Sequence, residues 1–402
     1  MNRIKLLFVS TLIVIIVSPL FLAIWNQSIN EQSSDPEFFV GVEYAIDNYS
    51  IEGCKALVDR VKNFTNFFVI DTVGITYDIY KLNEVCDYVY DSGLNFMVFF
   101  LPLHEEYEAP TEDGVHQKLV LRYNYYPHLW IADAKEKYGD KFLGTYAMDE
   151  PGGHQLDNGT SQLVSSAETQ EEAAETYMMW LRAHIDYYIY SREHEGISIL
   201  TSDYGLYWFD YKAGYDTILA EFAWNHSRPL HVGLCRGAAT VQGMEWGAMV
   251  TWTYDKEPYL VSGPELYEDL VVAYHNGAKY AVVFDHPDLY PKYGILADEH
   301  FTALENFWDY VNSNPDKHGM QEADVVYVLP ENFGFGFRDC GDKIWGLWSA
   351  DSDERTAKIW SDVNQLLEKY DFRLDIVYSD PEFDENLQQY YDKIFFWNQT
   401  IP

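Results

Sequence analysis

Glu43 in the run GVEYA and Glu221 in LAEFAW are carboxylates embedded in apolar, strand-like segments. An unpaired charge there would cost several kcal/mol, so such positions need a reason. Other acids and imidazoles end similar segments: Asp71, His104 with Glu105, Asp149 with Glu150, Asp203 with Tyr204, Asp255, and Asp285 with His286. Helix capping accounts for Asp203 or Asp285 taken singly, but not for Glu43 or Glu221. Two carboxyl groups, one protonated and one ionised, are the usual equipment for cleaving a glycosidic bond. Rings lie close by in the sequence, among them Tyr146. Flat rings stack on pyranose faces while carboxylates bind hydroxyls. The set therefore predicts a sugar cleft lined by Glu43, Tyr44, Asp71, Asp149, Asp203, Tyr204, Trp208, Trp224, Trp252, Tyr254 and Asp285. Arg236 and Lys256 are the only cations near these positions, which disfavours a phosphorylated substrate.

The elements that must bring these side chains together alternate along the chain. Apolar strand candidates begin at Phe38, Phe67, Leu94, Phe142, Ile197, Thr217, Gly247 and Ala278. Amphipathic helical patterns fall between them, over residues 50–63, 82–92, 167–194, 265–276 and 298–312. Strands buried on both faces, each followed by a helix, predict a parallel sheet. Eight such units match a (β/α)8 TIM barrel of about 250 residues, whose site lies at the C-terminal strand ends. No glycine-rich phosphate loop follows the first strand, which argues against an open doubly wound sheet.

The fourth strand segment, FLGTYAMDEPGG, resembles the corresponding strand end of (β/α)8-barrel glycoside hydrolases, in particular the large clan A. The resemblance implies that Glu150 is the general acid/base. It also implies that Asp149 stands where an Asn usually binds the sugar 2-hydroxyl. In that clan the nucleophile is a Glu ending strand seven. Here the strand reads MVTWTYDKEP, with Asp255 and Glu257 slightly beyond the expected edge. By sequence context Glu221 is the first choice of partner for Glu150, with Asp255 or Glu257 next. Two other readings stay open. One is a catalytically silent glycan-binding barrel, favoured by the missing strand-seven Glu. The other is a metal-dependent hydrolase drawing on His104, His154, His226 or His286, although no H-E-x-x-H occurs. Neither cofactor nor metal is expected for the glycosidase reading.

Composition sets the surroundings. With 27 Lys and Arg against 64 Asp and Glu in 402 residues, the net charge of −37 repels nucleic acid and anionic lipid. An aromatic content of 17% excludes a disordered chain. Residues 6–25 form an uncharged apolar run preceded by Arg3 and Lys5. It is long enough to cross a bilayer, with the body outside the cytoplasm. Cleavage of this segment as a signal peptide would leave a secreted body instead. Polar residues 26–37 read as a linker, residues 38–315 as the barrel, and residues 316–402 as a small flavodoxin-like α/β domain with no chemistry of its own. Glycan acceptor sequons stand at Asn26, Asn48, Asn63, Asn158, Asn225 and Asn398. Cys54 and Cys86 fall on neighbouring predicted helices, as a disulfide or as buried thiols.

Overall fold

The computed structural model describes residues 38–45, 50–100, 123–157, 162–286 and 294–401, and the backbone of 105–110 and 116–121. The expected membrane segment and linker, His104, and the sequons at Asn26, Asn48 and Asn158 lie outside the described residues. Among the described residues no helix is long and apolar enough to cross a membrane.

Strands β1 (Phe39–Ala45), β2 (Phe67–Asp71) and β3 (Asn95–Phe100) open the fold. An antiparallel hairpin follows, β4 (Glu105–Pro110) with β5 (His116–Leu121). Then come β6 (Phe142–Ala147), β7 (Ser198–Asp203), β8 (Thr217–Phe222), β9 (Glu245–Val250) and β10 (Tyr280–Asp285). Without the hairpin, these strands close a parallel barrel in the order β1-β2-β3-β6-β7-β8-β9-β10. The helices are started by local chemistry. Ser50 and Thr169 side chains accept from Gly53 and Glu172 N–H groups, and Pro151 opens the short helix Pro151–Leu156. The alternating pattern did not predict the hairpin, and the helices Pro127–Tyr138, Tyr207–Ala213 and Arg228–Gln242 were not among the helical stretches read from it.

Side chains alternate between the two faces of a strand, so register decides which acids enter the barrel. Phe39, Phe67 and Tyr280 meet at ring separations of 4.9–5.8 Å and fill the N-terminal end of the interior. Counting by two from this layer puts Glu43 and Asp71 inside. The same parity, carried through the pairing of Tyr146 with Leu200 and of Glu221 with Met249, puts Tyr146, Ser202 and Glu221 inside as well. Tyr44, Asp203 and Asp285 have the opposite parity and face the helical layer.

The tail forms a second, three-stranded parallel sheet: β11 (Val325–Leu329), β12 (Leu374–Tyr378) and β13 (Lys393–Phe396), in the order β12-β11-β13. Residues 38–402 are one compact unit. Arg236, expected near the mouth, lies instead between barrel and tail. Its guanidinium donates to Asp375 (2.9 Å), Asn276 (2.7 Å) and the Phe372 carbonyl (2.6 Å), and Tyr391 donates to the other Asp375 oxygen at 2.8 Å. Gly233 and Gly237 let the helix that carries Arg236, Arg228–Gln242, approach β12; a Cβ at Gly233 would lie 2.6 Å from the Leu374 carbonyl oxygen. Arg236→Ala leaves Asp375 buried and uncompensated. We expect a loss of about 3–5 kcal/mol in urea unfolding. Cys54 and Cys86 are buried free thiols.

Candidate active site

Four barrel strands deliver acids to one mouth: Glu43 from β1, Asp71 from β2, Asp149 and Glu150 after β6, and Glu221 from β8. Ser202, from β7, joins them. Its Oγ lies 2.6 Å from Glu221 Oε1, 3.3 Å from Asp149 Oδ1 and 2.8 Å from the Tyr146 hydroxyl, and Tyr146 donates to Asp149. Glu43 Oε1 and Glu221 Oε2 are buried with no partner in good hydrogen-bond geometry.

Burial and mutual repulsion hold protons on this ring. Burial first, then the charge of Asp71, pushes Glu43 well above the usual carboxylate range, and Glu43 is the proton donor toward Asp71. Burial also raises Asp71. Glu150 is pushed up to about 12 by burial and by the facing Glu221 carboxyl. Glu221 rises to about 8, chiefly through burial and then Asp149, with the Ser202 hydroxyl pulling the other way. Repulsion between facing carboxyls favours keeping one proton on the pair. Within this pair Glu150 holds the proton, and Glu221, with Ser202 donating to it, is the easier to ionise. A neutral carboxylic acid facing a carboxylate is suited to donating a proton on one side and attacking on the other.

The sign of the pH effect on folding follows from these shifts. A carboxyl raised above its unfolded value binds more protons folded than unfolded, so stability falls as pH climbs from the ordinary carboxylate range through the folded value. Glu43→Gln removes one such group and retains a donor toward Asp71. In thermal melts the variant is expected to exceed the wild type by a few degrees at pH 9, with the gap closing by pH 5.

Backbone strain gathers at the same rim. Met148, Glu150, Leu206 and Trp224 all have positive φ, of 60°, 45°, 52° and 39°. Such conformations cost of order 1–3 kcal/mol each and persist where surrounding contacts enforce them. Asp203 supplies that enforcement for the Glu150 turn. It is fully buried, and its carboxylate accepts from the N–H groups of Gly152 (2.5 Å), Gly153 (2.9 Å), Tyr204 (2.7 Å) and Gly205 (3.1 Å). Gly153 must be glycine, because a Cβ would run into the Tyr204 ring.

The tail takes part in this support. Arg338 donates to the Asp157 carboxylate and to the Leu156 carbonyl (3.2 Å) at the end of the Pro151–Leu156 helix, while Tyr204 donates to Asp157 at 2.9 Å. Gln155 reaches the Trp345 carbonyl at 2.8 Å. The tail segment that carries Arg338 and Trp345 therefore holds the helix that follows Glu150 from behind.

Several expected site residues lie elsewhere. Tyr44 points to the helical layer, where its hydroxyl donates to the Ser50 carbonyl at 3.1 Å. Trp208 is buried under the tail, against Tyr378 and Phe383. Asp203 holds the acid loop from beneath. Asp285 accepts from the Leu296 N–H at 3.2 Å. Asp255 and Glu257 are exposed on the loop after β9, and the inward position ending that strand is Thr251. Outward parity explains Tyr44, Asp203 and Asp285; the length of the loop explains Asp255 and Glu257. Tyr204 stays beside the Glu150 turn, with its ring against Gly153 and its hydroxyl donating to Asp157 at 2.9 Å. Trp224 packs on Tyr204 at 5.6 Å, Trp252 packs on Phe284 at 5.2 Å, and Tyr254 is exposed. Ser202 and Arg338 were missed. Strand parity in ISILTSDYG would have found Ser202, whereas no local signal marks Arg338. Among the described residues no group of three or more His, Cys, Asp or Glu side chains is arranged to hold a metal ion.

No protein-family profile matches the chain. No curated protein sequence matches it either. Solved structures do. A GH5_18 protein from Streptomyces cattleya, in complex with GlcNAc, aligns with a TM-score of 0.58 at 11% identity, over 90% of this chain and 99% of that one. The pneumococcal virulence factor StrH aligns at 0.43 and 8% identity, over 70% and 85% of the two chains. A GH30 endoxylanase from Clostridium papyrosolvens aligns at 0.39 and 11%, over 70% and 74%. The chain thus has the (β/α)8 fold seen in glycoside hydrolases, and the likeness singles out no particular family.

Proposed function

We propose that the chain is a glycoside hydrolase acting on a carbohydrate substrate, with Glu150 as general acid/base and Glu221 as nucleophile. The observation that carries this reading is the convergence of the two carboxyls in one buried mouth, where burial first and then the facing Glu221 favour the protonated form of Glu150. Carboxyls that interact directly leave no room for the water admitted by the wider gap of inverting enzymes, about 6.5–9.5 Å, which favours a retaining mechanism. Glu43, Asp71 and Asp149 then bind sugar hydroxyls, and Tyr204, Trp224, Trp252 and Tyr254 supply stacking surfaces. The apolar run at residues 6–25, with Arg3 and Lys5 before it, supports an enzyme tethered outside the cytoplasm, or secreted after cleavage. Residues 38–315 would form the catalytic barrel and residues 316–402 the accessory domain that braces it.

The second reading, a silent glycan-binding barrel, is favoured by Thr251 at the inward end of β9, where the clan A resemblance calls for a Glu. Incubating the purified chain with neutral oligosaccharides and aryl glycosides, and following product by chromatography, separates the two. Release of reducing sugar that depends on Glu150 supports the hydrolase. Binding without release across the panel supports the silent barrel.

A further inference from the structure

Beside the carboxylate mouth, the loops after β8 and β9 enclose a cleft of about 520 Å³. Trp224 and Tyr254 stand on its walls, with His226, Thr253, Arg228 and Glu268. The Trp224 ring packs edge-on against Tyr204, whose ring lies against Gly153 in the helix that follows Glu150. The Trp224 N–H donates to the Trp252 carbonyl at 2.6 Å, tying the two loops together. Strain is also concentrated here: Trp224, a bulky aromatic, sits at φ 39°.

Its polar groups select among ligands. Arg228 uses four of its five N–H groups, donating to both Asp269 oxygens at 3.0 Å and to the carbonyls of Ala223 and His226 at 3.1 Å, and the Asp269 carboxylate balances its charge. Burial, and then Arg228 and Arg338, lower His226 to about 4, so its imidazole is neutral at physiological pH. His226 Nδ1 and Thr253 Oγ1 are buried without a hydrogen-bond partner. A neutral imidazole and a hydroxyl can each donate or accept, which matches a sugar hydroxyl. The charges left on the wall, Glu265 and Glu268, are negative.

We infer that this cleft is a subsite for a neutral sugar unit of a longer glycan, next to the unit held at the carboxylates. Trp224 and Tyr254 stack on the ring, and His226 and Thr253 bond its hydroxyls. The inference rests on the glycosidase reading for the adjoining mouth, but its test is a binding test. The full chain carrying Glu150→Gln is titrated calorimetrically with di- and tetrasaccharides of β-1,4-glucose, β-1,4-N-acetylglucosamine and β-1,4-xylose, and with tetragalacturonate. At least one neutral tetrasaccharide should bind about tenfold tighter than its disaccharide. Adding Trp224→Ala, or the surface change Tyr254→Ala should the former not fold, removes the length effect and brings the tetrasaccharide down to the disaccharide's affinity. Equal affinity for both lengths overturns the inference, as does preference for tetragalacturonate or failure to bind any member. If the length effect is present while the wild type hydrolyses nothing, the subsite stands and the hydrolase reading falls.

Discussion

Glu150→Gln is expected to lower kcat about 10³-fold on substrates with poor leaving groups, within the range that a positioned general acid contributes. The amide keeps the size of the side chain but has no proton to release, so KM should change little. The loss should be much smaller on aryl glycosides whose leaving group departs unprotonated. The pH profile of kcat/KM gives an independent check. Activity rises as Glu221 ionises, and burial places that limb above the ordinary carboxylate range. It falls only where Glu150 gives up its proton, which the facing Glu221 charge delays. In the variant the alkaline fall should disappear and the acid limb remain. An unchanged profile would remove Glu150 from the mechanism.

Glu221→Gly is expected to cost at least about 10⁴-fold in kcat, as loss of an attacking group does elsewhere. The hole it leaves can admit a small anion. Added azide should therefore restore turnover and yield a glycosyl azide of inverted configuration. Rescue would identify Glu221 as the nucleophile of a retaining mechanism; loss of activity without rescue would point to a base or to a purely structural acid. Asp255→Asn and Glu257→Gln, on the exposed loop after β9, should stay within about twofold of the wild type. A collapse in either would return the nucleophile to the position that the clan A resemblance suggests.

Much of the barrel was legible because its evidence is local. Each strand is a short apolar run and each helix a 3.6-residue pattern, so eight repeats can be read without any long-range information. The motif AMDEP marked Glu150 for a similar reason, since a strand end and a turn are contiguous in the chain. The buried setting of Glu221 was also visible, in a carboxylate surrounded by LA and FAW.

Which neighbours these side chains meet was settled by tertiary structure. Whether an acid at a strand end faces the mouth or the helices depends on pairing register, and a shift of one residue reverses it. That parity took Tyr44, Asp203 and Asp285 out of the mouth and brought Ser202 in. Arg338 lies 181 residues from Asp157 along the chain, and only packing of the tail against the barrel brings them together. Sequence by itself determined the repeating elements and marked Glu150 as the candidate acid, because both are written in adjacent residues. The partner carboxyl, the brace behind the acid loop and the cleft beside it depend on distant segments converging, and so only the folded chain decides them.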